Sequence, residues 1–271
     1  MPHIFSYRDG DLYSHHTMDA MPEREKFAMH GHEWMEILYC INGSGSCLVE
    51  GIQYPLEPQD IFIFRPGEMH KIILDPEVPY ERIVIHFIPE LLSSVDPGHT
   101  LLRPFTDRPA GTHNRYSLAD HPESSLRTAF SNYRFEQTPN VRLNLLSRLF
   151  LFLTHLEGHY QQAQLDAPAE GLPGQLVAYV NEHIFEDISI QSIADHFYRS
   201  RSQISRAFQQ ATGSGLWEYV IIKRLLAARA LIRSGQPANS ACTACGFSEY
   251  SSFYRAYRSH FGHSPREDAP K

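Results

Sequence analysis

The feature that most constrains the fold of this chain is a change in hydrophobic period along its length. Between residues 36 and 88 the apolar residues form short runs, separated by turn residues such as Asn42-Gly43 and Pro66-Gly67. That pattern is typical of the strands of a β-barrel or sandwich. From about residue 122 the apolar residues recur every three or four positions, which is the period of an amphipathic helix. The sequence therefore predicts an α+β protein whose strands precede its helices.

Five strands are predicted with definite limits, and turn residues separate them. They cover residues 36–41, 46–50, 52–56, 60–64 and 80–88. Because side chains alternate along a strand, the last strand has Ile83, Ile85 and Phe87 on one face. Its other face carries Arg82, Val84 and His86. We expect these strands to belong to one N-terminal domain over residues 1–160.

A long helix is predicted over residues 140–160, and its apolar surface is unusually wide. The two adjacent stripes are Leu145, Leu149, Phe152, Leu156 and Leu143, Leu146, Phe150, Leu153. Such a surface is wider than one packing partner covers. We expect one stripe to pack on the N-terminal domain and the other on a second copy of the chain, which makes a homodimer. The alternative is a helix buried within its own domain.

Residues 161–174 separate an acidic part of the chain from a basic one. This polar segment contains two prolines and two glycines, so it is predicted to be the interdomain linker. Residues 1–172 carry 13 Lys and Arg against 23 Asp and Glu, whereas residues 173–271 carry 11 against 8. This asymmetry, hidden in the overall net charge of −7, indicates an anion-binding module joined to a different domain.

The basic part begins with a helix over residues 175–185 and continues with a short helix, a tight turn and a second helix. Ser189 and Ser200 are placed to cap these two helices by accepting backbone N–H bonds. The second helix, 201–210, buries Ile204 and Phe208. Its outward face consists of Arg201, Ser202, Gln203, Ser205, Arg206 and Gln209. This arrangement predicts a helix-turn-helix unit at about 189–210.

The same arrangement recurs at about 238–260, after a long helix over residues 217–234. A short helix over 238–245 is followed by Gly246, which can adopt the positive φ of a tight turn. The next helix has an outward face of Glu249, Tyr250, Ser251, Ser252, Tyr254, Arg255 and Arg258. Arginine and glutamine suit hydrogen bonding to base edges, and serine suits phosphate or base. Both outward faces are therefore candidate contacts with double-stranded DNA.

Residues 173–266 resemble the DNA-binding domain of the AraC/XylS family of bacterial transcription regulators. The matching residues are Ser189, Ile193, Ala194, Ser200, Ile204, Arg206, Phe208, Thr212, Gly213, Tyr219, Arg224, Ala228, Leu231, Cys245, Gly246, Phe247, Ser248, Ser251, Phe253, Arg255, Tyr257, Phe261, Gly262, Ser264 and Pro265. The resemblance implies an all-α domain over 175–271 with two units joined by a rigid helix. It also implies a regulator, more commonly an activator, that binds promoter DNA and, as an activator, RNA polymerase.

Polar residues of the N-terminal domain resemble the two cupin motifs. His30, His32 and Glu36 form H-x-H-x-x-x-E, and His70 ends a later P-G-x-x-H. Together with the AraC/XylS resemblance, this implies a cupin-like, double-stranded β-helix barrel whose pocket holds a small effector, often a sugar. The expected effector-binding residues are His30, His32, Trp34, Glu36, Tyr39, Phe64, Arg65 and His70.

Two alternatives to an organic effector remain open at this point. In metal-binding cupins, the residues matching His30, His32, Glu36 and His70 hold one divalent ion, and imidazole with carboxylate suits transition metals. The protein would then be a metal-responsive regulator or a metal-dependent cupin enzyme. The motif glycines are replaced by Arg24 and Gln59, and no second catalytic group is evident. We therefore expect a regulator without enzymatic activity and without a required cofactor.

The cellular location is predicted from what the sequence lacks. The first residues have neither the basic start nor the apolar stretch of a secretion signal, and no apolar run reaches the roughly 18 residues of a membrane helix. Four cysteines in a chain of 271 residues do not form a disulfide framework. We expect a cytoplasmic protein that does not enter a membrane.

Overall fold

The computed structural model describes residues 3–24, 28–119, 126–130, 140–162 and 171–270. The strands within these residues are β1 (His3–Asp9), β2 (Leu12–Asp19), β3 (Met35–Asn42), β4 (Gly45–Val49), β5 (Ile52–Leu56), β6 (Asp60–Phe64), β7 (His70–Leu74), β8 (Tyr80–Phe87) and β9 (Arg115–Ser117). The α-helices are α1 (Arg103–Thr106), α2 (Leu126–Phe130), α3 (Val141–Gln162), α4 (Leu172–Glu182), α5 (Ile190–His196), α6 (Arg201–Thr212), α7 (Leu216–Arg233), α8 (Ala238–Ala244) and α9 (Tyr250–Phe261). Short 3-10 helices cover Pro89–Leu92, Thr100–Leu102 and Pro265–Asp268. We call the part up to residue 162 the β-half and the part from residue 171 the helical half.

The described strands pair in two antiparallel sheets. The larger has the order β1-β2-β8-β3-β6-β9 and the smaller β5-β4-β7. Leu38, Phe64 and Val84 of the larger sheet pack against Val49 and Ile72 of the smaller one and form the core between the sheets. The predicted α+β class, with strands before helices, is confirmed.

The other face of the larger sheet is covered by α3. Ile37 and Ile85, which alternate with the residues facing the smaller sheet, are buried in one cluster with Leu145, Leu149 and Phe152 of the helix. The first predicted stripe of α3 therefore packs on the sheet. Leu153 of the second stripe is buried in the same cluster, so the face of α3 that packs on the sheet is wider than the first stripe alone.

The five predicted strands are observed to within one residue at each end, whereas β1, β2, β7 and β9 were not predicted. β2 illustrates why a strand can be missed, because polar residues such as His15 and His16 obscure the alternation of apolar residues in its sequence. It pairs with β1 on one side and with β8 on the other, so its position is set by backbone hydrogen bonds to distant segments. Those pairings cannot be recognised from local sequence.

The predicted limits of the linker need correction at both ends. The helix α3 continues to Gln162, and α4 starts at Leu172 rather than at residue 175 and ends at Glu182 rather than at 185. Pro173 does not break α4, because the backbone N–H that a proline lacks has no intrahelical partner in the first turn of a helix. The remaining linker residues, 163–170, lie outside the described residues.

The helical half contains both predicted helix-turn-helix pairs, α5–α6 and α8–α9. Ser189 and Ser200 cap α5 and α6 and each takes part in a capping box, as the sequence indicated. The turn between α5 and α6 has Tyr198 at φ +53°, and the turn between α8 and α9 has Gly246 at φ +77°. The two turns thus use the same left-handed conformation, once without a glycine.

The long helix α7 belongs to the cores of both pairs. Tyr219 and Val220, near its start, are buried with residues of α4, α5 and α6, while Ala228 and Ile232 are buried with residues of α8 and α9. Between these positions Arg224 donates to the carbonyls of Ile184 at 2.7 Å, Glu186 at 2.7 Å and Gly246 at 2.6 Å. One guanidinium group therefore fixes the second pair relative to the first.

Within the described part of the chain, no helix is both long enough and apolar enough to span a bilayer.

Replacing Gly246 with alanine is expected to disturb this joint. A Cβ atom there would lie 2.6 Å from the carbonyl oxygen of Phe185, in addition to the strain of a positive φ. Gly262 is a matched control, because it has φ +81° but nothing within 4 Å of a Cβ. Gly262→Ala should cost about 1–2 kcal/mol from backbone strain, and Gly246→Ala should cost more. Urea unfolding measures both, and equal losses would contradict the close contact.

Candidate functional site

The outward faces of α6 and α9 are open to solvent as predicted. The exposed residues on or beside them are Arg201, Ser202, Gln203, Ser205, Arg206, Gln209, Glu249, Tyr250, Ser251, Ser252, Arg255 and Arg258. Tyr254 differs from the others because it is partly buried, with its ring centroid 6.3 Å from that of Tyr250. The buried sides, with Phe208 on α6 and Phe253 on α9, anchor the two helices in separate cores.

Two of the residues predicted to contact DNA also hold α6 in place. The side-chain oxygen of Gln203 accepts a hydrogen bond of 3.0 Å from the backbone N–H of Ser200, which completes the capping box. The Arg201 guanidinium donates to the side-chain oxygen of Gln191 at 2.5 Å and so ties α6 to α5. Arg206, by contrast, makes no side-chain hydrogen bond to another described residue, so its guanidinium is free to meet a ligand.

In the β-half, imidazole groups converge on the carboxylate of Glu36. One oxygen, Oε2, lies 2.5 Å from Nε2 of His32, 3.0 Å from Nε2 of His86 and 3.6 Å from Nε2 of His70. Glu36 comes from β3, His70 from β7 and His86 from β8, while His32 precedes β3. We call His32, Glu36, His70 and His86 the histidine cluster. Its members come from both sheets, so it forms only when the sheets are packed together.

Burial and charge act in opposite directions on the histidine cluster. Burial alone would raise the pKa of Glu36, but the neighbouring His86, His32 and His70 side chains hold that pKa well below its usual value. Burial lowers the pKa of His32, which the contact with Glu36 only partly offsets. For His70 burial is outweighed by the Glu36 carboxylate, which raises its pKa. The same carboxylate thus favours the charged form of His70, whereas burial disfavours the charged form of His32.

Of the four residues that match the metal ligands of cupins, the structure brings three together at Glu36 Oε2. His32, Glu36 and His70 meet as expected, but His86 approaches Glu36 where His30 was expected. His30 lies beside His70, with ring centroids 4.4 Å apart, and its Nδ1 donates to the carbonyl of Ala28. The alternation of β8 had already placed His86 on the face opposite Ile85, and the pairing of β8 with β3 was the missing information.

The predicted aromatic residues do not form a stacking platform. Tyr39 was placed in the pocket wrongly, because it lies on the opposite face of β3 and stacks on Phe130 at a centroid distance of 4.5 Å. Phe64 is fully buried and stacks on the ring of His70 at 3.9 Å, so it supports a histidine. Trp34 is partly buried, and its backbone carbonyl accepts a hydrogen bond from Nδ1 of His32.

Two cavities of very different size adjoin the histidine cluster. A cavity of about 140 Å³ between the sheets is lined by His30, Glu36, His70 and His86 together with neighbouring strand residues. A cleft of about 750 Å³ lies between the β-half and the helical half. Its walls include His32 and Arg65 on one side and Lys223 on the other. We call this larger cavity the interdomain cleft.

Next to the interdomain cleft, the carboxylate of Glu50 joins the two halves. Glu50 lies in the turn after β4, and its side chain is fully buried. It accepts hydrogen bonds from the backbone N–H of Met69 at 2.7 Å, from the amide of Asn181 at 2.7 Å and from the ammonium of Lys223 at 2.8 Å. The hydroxyl of Tyr219 donates to the same carboxylate. Three of these four donors belong to α4 or α7, and we call the group the Glu50 network.

A second polar contact and an apolar contact complete the junction of the halves. Glu33 of the β-half lies 2.9 Å from the guanidinium of Arg233 and 3.2 Å from that of Arg229 on α7. Met29, Leu48 and Met69 of the β-half are buried in the same cluster as the core of the first helix-turn-helix pair. The two halves are therefore packed as one body, with the interdomain cleft between their contacts.

Comparisons with known proteins agree with both halves of this architecture. Residues 15–153 match the family model of the AraC-like ligand binding domain, and residues 193–269 match that of a helix-turn-helix domain. The HTH-type transcriptional activator RhaS of Citrobacter koseri is 34% identical over 246 residues, which cover 89% of this chain and 87% of that protein. RhaS of Escherichia fergusonii is 24% identical over 267 residues, which cover 93% and 95%. The solved structure of ToxT from Vibrio cholerae covers 95% of this chain and 97% of its own at 13% identity, with a TM-score of 0.40.

The fold and the two outward helix faces thus define a DNA-binding transcription regulator with an N-terminal ligand-binding domain. The chain belongs to the AraC family. Its relatives are transcription regulators, so the alternative of a metal-dependent cupin enzyme is wrong.

The Glu50 network is expected to contribute strongly to stability. Glu50→Ala removes the carboxylate and leaves the ammonium of Lys223 without its counter-ion, which typically costs about 3–5 kcal/mol in a buried pair. A double-mutant cycle with Lys223→Met, followed by urea unfolding, isolates the pairwise contribution. We expect a coupling energy of about 1–3 kcal/mol, as for residues in direct contact. Additive effects of the two substitutions would show that the pair does not join the halves.

Proposed function

We propose that this regulator is a transcription activator controlled by a small-molecule effector, a sugar or related metabolite, that binds in the interdomain cleft. The observation that carries the proposal is the position of α7. Leu226, Ala227 and Ala230 of this helix line the cleft, and the same helix joins the two helix-turn-helix pairs. A ligand in the cleft would therefore contact the β-half and the DNA-binding helices at once. The RhaS relatives, which carry the name of transcriptional activators, support activation as the mode of regulation.

The size of the two cavities favours the interdomain cleft over the interior of the β-half. Sites for small organic ligands usually enclose about 300–1,000 Å³. The cleft, at about 750 Å³, lies in that range, whereas the cavity at the histidine cluster, at about 140 Å³, is too small. Of the effector residues expected from sequence, His32 and Arg65 line the cleft.

The lining of the cleft suits a ligand that has both hydroxyl groups and an apolar face. Phe185, which is 48% exposed, and Leu226 offer apolar surface. Arg65 offers hydrogen-bond donors and Glu90 offers acceptors around it, whereas Asn181 and Lys223 are already engaged in the Glu50 network. Sugars present this combination, because their ring carbons form an apolar face with hydroxyl groups at its edge.

Thermal melting of the full-length protein with a panel of mono- and disaccharides tests the effector proposal. A ligand at a hundred times its dissociation constant stabilises the folded state by roughly 2.7 kcal/mol, which is readily detected. Ala230→Trp should fill the cleft and abolish the shift for any sugar that stabilises the wild type. Ala244→Trp, on the exposed surface of α8, is the matched control and should leave the shift unchanged. Equal shifts in both variants would place the ligand elsewhere.

The DNA-binding role of the outward faces leads to a prediction for single arginines. We propose that α6 and α9 contact base edges of promoter DNA in successive stretches of the major groove. After selection of a preferred site from random duplexes, Arg206→Ala and Arg255→Ala should each weaken binding to that site by about 1–3 kcal/mol and relax its specificity. Fluorescence anisotropy measures the affinities.

Arg8→Ala removes the same charge from the exposed edge of β1 and serves as the control. Its affinity for the selected site should match that of the wild type. If Arg206→Ala and Arg255→Ala both retain normal discrimination between sites, the proposed base contacts are not made.

The outer face of α3 supports the proposal of a homodimer. Leu143 is 62% exposed and Leu151 is 37% exposed, while Leu146 and Phe150 beside them are only partly buried. This surface remains after the inner face of α3 has packed on the sheet, so a second copy of the chain could cover it.

An activator of transcription also contacts RNA polymerase, and we propose that this regulator does so. We further propose that it acts in the cytosol, which contains the bacterial DNA.

A further inference from the structure

The hydrogen bonds of the histidine cluster determine which ring nitrogens carry protons. Nδ1 of His32 lies 3.0 Å from the carbonyl oxygen of Trp34, and Nδ1 of His70 lies 2.9 Å from that of Glu68. A carbonyl oxygen can only accept, so in both rings Nδ1 carries the proton. In the neutral form of each ring, Nε2 therefore has a lone pair, and this lone pair is directed towards Glu36.

This arrangement places acceptors opposite one another. The ionised carboxylate of Glu36 is itself only an acceptor, and it lies 2.5 Å from Nε2 of His32 and 3.6 Å from Nε2 of His70. Nε2 of His70 is buried and has no hydrogen-bond partner among the described residues. The residue as a whole is 1% exposed, and the cavity of about 140 Å³ beside it, which Glu36 and His86 also line, has room for an ion next to these atoms. A cation between these atoms would satisfy all of them.

We propose that His32, Glu36, His70 and His86 form a binding site for one divalent transition-metal ion. The ligand atoms of His32, Glu36 and His86 already lie within 4.8 Å of one another. Metal–nitrogen and metal–oxygen bonds of about 2.1 Å in a tetrahedral site require ligand atoms about 3.4 Å apart. The distances from Oε2 of Glu36 to the three Nε2 atoms, 2.5, 3.0 and 3.6 Å, lie on both sides of that value.

The chemistry of the ligands selects the class of metal. Three imidazoles and one carboxylate suit Zn²⁺, Fe²⁺, Co²⁺, Ni²⁺ or Mn²⁺, whereas Mg²⁺ and Ca²⁺ prefer oxygen ligands throughout. Hydrogen bonds from Nδ1 to backbone carbonyls are the usual support of metal-binding histidines. The rings are also held by stacking, His70 on Phe64 and His86 on Tyr13. The site is thus oriented before any ion binds.

The proposed metal site is separate from the proposed effector site. His32 is the one member of the histidine cluster that also lines the interdomain cleft, so the site lies behind the cleft wall. A metal bound there would tie β3, β7 and β8 together whether or not an effector binds. Failure of the effector proposal would therefore leave the metal proposal intact, and the reverse also holds.

The test uses the full-length protein after removal of metal with a chelator and dialysis. Titration with Zn²⁺ by calorimetry gives the stoichiometry, and titration with Co²⁺ gives a visible spectrum that reports the ligands. We expect one ion per chain, a raised melting temperature and a Co²⁺ spectrum without thiolate charge-transfer bands. Less than half an ion per chain would overturn the proposal. So would thiolate bands, because they would place the ion at cysteines such as Cys242 and Cys245.

Substitutions of single histidines distinguish the proposed ligands His70 and His86 from the neighbouring His30 by their effect on metal affinity. His86→Gln and His70→Gln should each weaken binding by more than the 10–100-fold typical for loss of an outer partner. His30→Gln is the control, because His30 lies beside His70 but makes no hydrogen bond to Glu36 among the described residues. It should change affinity by only a few-fold. Circular dichroism verifies that each variant is folded, and equal losses in His30→Gln and His86→Gln would overturn the assignment of His86 as a ligand.

Discussion

The buried carboxylate of Glu50 is the group on which the arrangement of the two halves depends. It belongs to the β-half, yet Asn181, Tyr219 and Lys223 of the helical half supply most of its hydrogen bonds. Removing a carboxylate from water costs several kcal/mol unless donors replace the water. Glu50 is therefore buried at a low free-energy cost only while the halves are docked. Because the same contact borders the interdomain cleft, a ligand in the cleft and the Glu50 network act on the same helix, α7.

The helical half could be predicted almost completely from the sequence, because its signals are local. The caps Ser189 and Ser200 mark the starts of α5 and α6, and Gly246 marks the turn before α9. Each of these signals acts within one turn of a helix. The link between the two pairs through Arg224 could not be predicted in this way, because its carbonyl partners lie about 20 and 40 residues away.

The β-half and its site were predicted only in part, because strand pairing joins segments that are distant in sequence. The motif residues His32, Glu36 and His70 were found, but His86 required the pairing of β8 with β3. Tyr39 was assigned to the wrong face of the sheet. It follows Glu36 by three residues in β3, and because side chains alternate along a strand, the two point to opposite faces. The interdomain cleft could not be foreseen at all, since it arises from the packing of the two halves.

Differential scanning calorimetry of the full-length protein tests the docking of the two halves most directly. If the Glu50 network joins them, the wild type should unfold in one cooperative transition, with a van't Hoff enthalpy equal to the calorimetric enthalpy. Glu50→Ala should split this into two transitions, one for each half. Two independent transitions in the wild type, unchanged by Glu50→Ala, would show that the halves are not coupled and would contradict control of DNA binding through the cleft.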